Sequence, residues 1–412
     1  MGIRARTRTS TWTGTLLACV LVLAACDGEP RTTDDASALD GEPIPIAFLG
    51  ELTGNFAVWG IPARNGMRLA VADINAAGGV DGRPLELFER DTQGAPEEAV
   101  TLLRGLIDRQ EIVAAGGIIS SDVGLSVTRV AEEDRVPLFL VKAGSERILT
   151  PDTRYVFRTC LPAAPMNMQP LAEYIAAEGL TRVGAIVADY AWGRSIEAAM
   201  QETIGASDVE LQIEVAPVPE TDFTSYLRRL TDLDPQLVIA TGHPPGSGPI
   251  ARQAAELGLQ GAIVGPYAAS GSVMEGLGDL AYDRYLDLAC ADVDRDDYRE
   301  LAARYHAEFG DYMENDAVAG YGQVLMIAQA IEVTGSDAPA DIAAYLHETT
   351  FELPGYAFDV SFTAWGELAS ARPLLTVLRE QDPPEGVNPG AEWYPEVVFR
   401  SGVLEPFDPA TP

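Results

Sequence analysis

The chain reads as an α/β protein of two units, each with a largely parallel sheet covered by helices. Three observations predict this. Short apolar runs of strand length alternate with helical periods from Ile44 onward, the pattern of parallel βαβ units buried on both faces. The alternation restarts after "YVFRTC". Roughly 370 residues of folded chain also exceed what one hydrophobic core organises comfortably.

In order, "IPIAFLGE" is a buried strand and "ARNGMRLAVADINAAGG" an amphipathic helix. Strand "LELFERD", helix "PEEAVTLLRGLIDR", strand "IVAAGGII", helix "VGLSVTRVAEED" and strand "PLFLVKA" complete the first run. After "YVFRTC" come helix "MQPLAEYIAAEG", strand "RVGAIVA", helix "GRSIEAAMQETIG" and strand "VELQIEVAPV". Helix "FTSYLRRLTDL", strand "QLVIATG", helix "GPIARQAAELG" and strands "AIVGP" and "RYLDLAC" follow. Three helices, "DYRELAARYHAEFG", "AVAGYGQVLMIAQAIEVTG" and "PADIAAYLHETT", precede a final pair of strands near "YAFDVSF" and "RPLLTVLRE".

The N-terminus has another character. Arg4, Arg6 and Arg8 precede a short apolar stretch, Thr15 to Leu23, and then Ala24, Ala25 and Cys26. Positive start, apolar middle and small-residue cleavage site make a secretory signal. About nine apolar residues are too few for a bilayer span, which needs about 20. The string Leu23-Ala24-Ala25-Cys26 resembles a bacterial lipobox. It implies a signal peptide over 1–26 and an acylated Cys26 that anchors the protein to the membrane by its lipid; an ordinary secretory signal is the plainer alternative. Residues 27–43, acidic and without apolar period, read as a flexible tether.

Charge narrows the function. Asp and Glu number 62 against 28 Lys and Arg, a net charge of −34, which repels phosphate backbones and argues against nucleic-acid binding. Lys142 is the sole lysine and sits in "LVKAGS", not in the Gly-Lys-Ser/Thr of a nucleotide-binding loop.

At this level a family resemblance emerges. The stretch from "IPIAFLGELTGNFAVWGIPARNGMRLA" to "ERDTQGAPEEAV" resembles the opening of type 1 periplasmic binding proteins of the branched-chain amino-acid group. "YVFRTC", "VADYAWGRS", "TDFTSYLRRL" and "ARQAAELGL" resemble later landmarks in the same order. The resemblance implies two Rossmann-like lobes joined by a three-segment hinge, with a ligand cleft between them. Lobe 1 is then 44–158 plus 292–357, lobe 2 is 159–291 plus 358–400, and 401–412 is a tail. Crossovers fall near Phe157–Cys160, Ala289–Asp292 and Ala357–Ser361. Since the first two run side by side in that fold, the resemblance implies a Cys160–Cys290 disulfide, with two free thiols as the alternative.

Ligands of open α/β sheets bind beyond the carboxyl ends of the strands, and that rule selects the candidate residues. "ELTGNFAVWG" offers Trp59 as an aromatic face. Ser120 and Ser121 stand between a strand and a helix, where unpaired N–H groups and hydroxyls can seat a carboxylate; the competing role is a simple helix cap. By resemblance Ser121 matches the family's carboxylate-binding serine, and Ala143 and Ser145 match residues that contact the α-carboxylate and ammonium. Lys142 lines the cleft as a cation or, as is commoner for a lone lysine at a strand end, is solvated.

In the second lobe the candidates are Asp189, Tyr190 and Trp192 from "ADYAWG", His243 from "ATGHPPG" and Tyr267 from "VGPYAAS". Tyr267 stands where the amino-acid binders carry an acid for the ligand ammonium. A phenol with an ordinary pKa of about 10 supplies no such charge. Either Asp189 takes the ammonium or the ligand has none.

Other signals carry less. His306 and His347 read as ordinary surface residues of helices. Asp292, Asp294 and Asp296 have calcium-loop spacing, but Asp297 and Ala303 stand where that loop needs Gly and Glu, so no metal site is expected. No cofactor motif and no nucleophile–base pair occurs, so an enzyme is not expected.

The expected function is an extracytoplasmic, lipid-anchored, monomeric subunit that hands a small polar ligand to an ABC permease and its ATPase. That ligand is an amino acid or related small carboxylate. A ligand-sensing receptor of the same fold, or a binder of amides or aromatic acids lacking an α-ammonium, is the alternative.

Overall fold

The computed structural model describes residues 39, 41–243 and 248–410. The signal segment, Cys26 and most of the tether lie outside the described residues.

Two sheets organise the chain. The first is built from β1 (Ile44–Gly50), α1 (Ala57–Ala76), β2 (Leu85–Asp91), α2 (Pro96–Gln110), β3 (Ala114–Ile118), α3 (Ser121–Asp134), β4 (Leu138–Leu140) and β5 (Val156–Arg158). Its five strands are all parallel, in the order β2-β1-β3-β4-β5. β1 carries Ile44, Ile46, Ala47, Phe48 and Leu49 with no exposed surface, as a central strand covered on both faces requires.

The second sheet starts after α4 (Ala164–Ala177). It takes in β6 (Arg182–Ala188), α5 (Ala191–Thr203), β7 (Glu210–Ala216), α6 (Thr224–Leu230), β8 (Leu237–Thr241), α7 (Gly248–Glu256), β9 (Ala262–Val264), α8 (Ser270–Leu277) and β10 (Tyr285–Ala289). The chain then forms α9 (Asp296–Phe309), α10 (Asn315–Thr334) and α11 (Pro339–Glu348), and returns as β11 (Leu374–Glu380) and β12 (Trp393–Arg400). The strand order is β12-β11-β10-β9-β8-β6-β7, parallel from β7 to β10 and antiparallel at β10-β11 and β11-β12.

Four elements differ from expectation, the first being β5, which lies in "YVFRTC" where the sequence pattern assigns no strand. The "YAFDVSF" stretch forms only isolated bridges, Ala291 to Tyr356, Phe351 to Val360 and Phe362 to Leu368. The final antiparallel pair is instead β11 with β12, whose mixed burial carries no clear strand period. The "AASGSVMEGL" stretch, to which the sequence pattern assigns no element between "AIVGP" and "RYLDLAC", holds α8, eight residues being too few for a clear helical period.

α10 belongs against the first sheet through α1. Gly66 faces the Ala317 carbonyl and Gly320 the Ala63 carbonyl so closely that a methyl group at either would strike backbone. Small residues at both crossings thus let the helices touch main chain to main chain, and the start of α10 places Glu314 at the start of α8 and Asp316 beside Lys142.

The chain passes between the sheets after β5, after β10, and between α11 and β11. Cys160 and Cys290, on the first two passages, are joined by a disulfide with Cα atoms 5.5 Å apart. Residues 401–410 also pack: Leu404 is buried and its N–H donates to the Ala371 carbonyl, while Trp365 Nε1 donates to the Phe407 carbonyl at 3.2 Å.

Candidate functional site

The carboxyl ends of the two sheets face each other across a small cavity of about 20 Å3, room for about one water molecule. Trp59, Ile119, Lys142 and Leu161 form one wall. Tyr190, Trp192, Thr241, Gly242, Pro266 and Tyr267 form the other. Four of these residues reach this place because their strands end there: Ile119 after β3, Lys142 after β4, Thr241 at the tip of β8, Tyr267 after β9.

Four sequence-predicted residues therefore line one cavity: Trp59, Tyr190, Trp192 and Tyr267. Trp192 is held in place by its Nε1, which donates to Thr241 Oγ1 at 3.0 Å. Tyr190 leans across on Phe56, with ring centres 5.5 Å apart. Trp59 Nε1 and Tyr267 Oη are buried and have no hydrogen-bond partner. Tyr267 adopts a left-handed backbone, φ 55°, uncommon for a bulky side chain and a mark of local strain. Burial pushes its phenol well above the ordinary range, so it stays a neutral donor.

The cavity holds a residue that the sequence left ambiguous. Lys142 is not solvated; it is 9% exposed. Its Nζ donates to the Tyr267 carbonyl and, at 3.0 Å, to Asp316 Oδ2, and it stands 4.9 Å from the centre of the Trp59 ring. The expectation of a solvated lysine failed because it was weighed on strand position alone. The signal missed was Asp316, 174 residues away in sequence, which only the docking of α10 on α1 delivers.

Two more acids lie near. Glu314 accepts the N–H groups of Ser270 and Gly271 at 3.1 and 2.7 Å, at the start of α8. Asp287 accepts the Ala268 N–H at 2.9 Å. Burial pushes Glu314 up to about 8 and Asp287 well above the carboxylate range. At neutral pH Glu314 therefore favours the protonated form, and burial also raises Asp316, against the lowering effect of the adjacent Lys142.

The remaining candidates sit outside the cavity lining. Ser121 Oγ accepts the Ser145 N–H at 3.2 Å, and Ser145 Oγ meets Ser195 Oγ at 2.8 Å. Ala143 is buried, and its carbonyl accepts from Arg158. Ser120 makes no side-chain cap to α3; its N–H instead donates to Glu51 Oε1 at 3.3 Å. Glu51 has no exposed surface, and burial pushes it up to about 7 against the opposing Ser120 N–H bond.

Asp189 is exposed and pairs with Arg194 at 3.1 Å, directed away from any ammonium in the cavity. His243 turns into the core: Nε2 meets the Ala216 carbonyl at 3.2 Å and the ring packs edge-on to Phe223. Burial lowers its pKa to about 4, so it is neutral at pH 7. His347 is half-buried, with its ring nitrogens 3.1 and 2.8 Å from the Thr363 and Arg154 carbonyls, so it ties loops together instead of facing solvent. Asp292 and Asp294 both pair with Arg400, and among the described residues no cluster of three metal-ligating side chains forms.

Comparisons with known proteins agree with this architecture. A family model described as periplasmic binding protein matches residues 43–373. The leucine-, isoleucine-, valine-, threonine- and alanine-binding protein of Pseudomonas aeruginosa is 26% identical over 322 residues, 77% of this chain and 85% of the relative. The leucine-specific-binding protein of Salmonella typhimurium is 23% identical, over 80% of this chain and 86% of the relative.

Among solved structures, an ABC-transporter solute binding protein of Rhodopseudomonas palustris in complex with 3,4-dihydroxybenzoic acid superposes with a TM-score of 0.78 at 21% identity. That match covers 90% of this chain and 99% of the other. A branched-chain amino acid transporter substrate binding protein of Streptococcus pneumoniae, in complex with isoleucine, gives 0.76 at 20% identity, covering 89% of this chain and all of that one. At these identities the structures show a shared fold.

Proposed function

The chain belongs to the periplasmic binding protein family, and from that premise we propose that it is the extracytoplasmic solute-binding subunit of an ABC importer. It captures a small carboxylate-bearing solute, an amino acid or a related acid, between two lobes and presents the closed form to a permease and its ATPase. The observation that carries this reading is the cavity walled from both sheets, with the unpartnered Trp59 Nε1 and Tyr267 Oη buried at it. Buried polar groups without partners are costly to keep, and a bound solute offers them partners.

The lobes are 44–158 plus 292–357 and 159–291 plus 358–400, parting and closing about the three passages between the sheets. A cavity of about 20 Å3 admits no amino acid, so entry requires the walls to separate, as hinge closure around a ligand implies. The protein acts as a monomer, moored by an acylated Cys26 and the tether that follows.

The test is titration calorimetry of the purified protein against a panel of amino acids, aromatic acids and amides, with small-angle scattering of the same samples. Saturable heat with a smaller radius of gyration supports the reading. Silence across the panel, with no small molecule released on denaturation, overturns it.

A further inference from the structure

We propose that this cleft selects a planar aromatic carboxylate without an ammonium group, and that Lys142 is the residue that holds its carboxylate. The inference deepens the solute-binding role and rests on it.

The first argument is charge. Among the described residues Lys142 is the only charged side chain lining the cavity. An α-amino acid brings an ammonium that would be buried beside a lysine ammonium with no lining carboxylate to meet it. Asp316 lies outside the lining, 3.0 Å from Lys142, and Asp189 faces solvent with Arg194. Burying a charge without a partner is strongly unfavourable, so a carboxylate meets an opposite charge at this lining and an ammonium meets none.

A second argument comes from the helix start at α3. Such N–H groups are a ready seat for a ligand carboxylate, but here the chain's own Glu51 takes the Ser120 N–H, and Ser121 Oγ is occupied by the Ser145 N–H. Neither Ser120 nor Ser121 lines the cavity where a ligand's carboxylate would sit. Lys142 offers it a place: an ammonium has three donors, of which Tyr267 O and Asp316 Oδ2 engage two. Parting of the sheets breaks the Lys142–Tyr267 contact, since the two residues stand on opposite walls, and frees a second donor.

The third argument is shape. Trp59, Tyr190, Trp192 and Tyr267 present rings from both sides, which suits a flat guest stacked or held edge-on between them. The buried Trp59 Nε1 and Tyr267 Oη, both unpartnered, add neutral hydrogen bonds for a carboxylate oxygen or a ring hydroxyl.

The experiment is calorimetric titration of the full mature chain with benzoate, 4-hydroxybenzoate, L-leucine, L-phenylalanine and benzamide. It is repeated on Lys142→Met, Lys142→Arg and the charge-neutral double variant Lys142→Met/Asp316→Asn, which spares the fold an unpaired Asp316. Expected are binding of one or both benzoates, none of the amino acids, and a loss of at least about 30-fold in both Met variants, as for truncation of one partner of a buried charge pair, with Lys142→Arg partly rescued. An unchanged melting temperature in the double variant assigns that loss to recognition. Binding of an amino acid or of benzamide in place of the benzoates, or benzoate affinity unchanged in the double variant, overturns the inference and leaves the solute-binding role standing. Silence from every compound, with no co-purified molecule, overturns both.

Discussion

Arg158 and Glu367 form an ion pair from which water is excluded: Nε lies 2.8 Å from Oε2, and both side chains are at most 1% exposed. The same guanidinium donates to the Ala143 and Ser145 carbonyls. It therefore fixes, from below, the loop on which Lys142 stands. Replacing Arg158 by Met leaves Glu367 buried and unpaired, which costs about 3–5 kcal/mol. The expected outcome is a large fall in unfolding free energy in urea, partly recovered in Arg158→Met/Glu367→Gln. An Arg158→Met protein as stable as the parent shows that the pair does not hold the loop.

Glu51 sets a pH dependence. Its folded value of about 7 lies above the ordinary 4.5, so the folded state binds the proton more tightly than the unfolded one. Its contribution is complete below about pH 4.5, shrinks as pH rises, and is lost above about 7. Its size is on the order of 3 kcal/mol, at about 1.4 kcal/mol per pH unit. His243, lowered to about 4 by burial, acts with the opposite sign, its contribution lost as pH falls below its ordinary 6.5. The difference between the parent and Glu51→Gln isolates the glutamate: the variant gains stability relative to the parent between pH 5 and 8. Calorimetric melting across that range reads it directly, and parallel curves would contradict it.

The Cys160–Cys290 bond closes a sequence separation of 130 residues and ties two of the three passages between the sheets. Restricting the unfolded chain over such a loop stabilises by about 2–4 kcal/mol. Reduction is therefore expected to lower the melting temperature by several degrees, and a non-reducing peptide map should join the peptides carrying these two cysteines. Unlinked peptides would remove the bond.

Gly144 allows the walls to meet. A methyl group there would overlap Leu161 Cδ2 and the ring of Trp192, and Trp192 comes from the opposite wall. Gly144→Ala is expected to weaken ligand binding at least about tenfold by opposing closure, since overpacking costs about 1–3 kcal/mol. Urea unfolding should change less than the affinity does. An unaltered affinity by titration would show that closure does not bring these groups together.

At the N-terminus, Cys26→Ala should release the protein from the membrane fraction into the soluble one, and intact mass of the parent should show acyl chains on Cys26. A parent already soluble would refute the anchor.

The alternation of apolar runs and helical periods was enough to place almost every strand and helix, because burial on both faces of a parallel sheet leaves a continuous hydrophobic signature in each strand. Trp59, Tyr190, Trp192 and Tyr267 were legible for a related reason: they follow strands, and strand ends of such sheets converge. Beyond that, local pattern was silent. Lys142 has its partner in Asp316, 174 residues away, Glu51 answers Ser120 across 69 residues, and His243 and Asp189 follow strands just as the lining residues do, yet turn into the core and into solvent. Strand order and helix periods are properties of neighbours along the chain, which sequence records. Which charge is buried beside which, and which side chain turns inward at a strand end, depend on the docking of distant elements such as α10 on α1, and only the tertiary structure decides that.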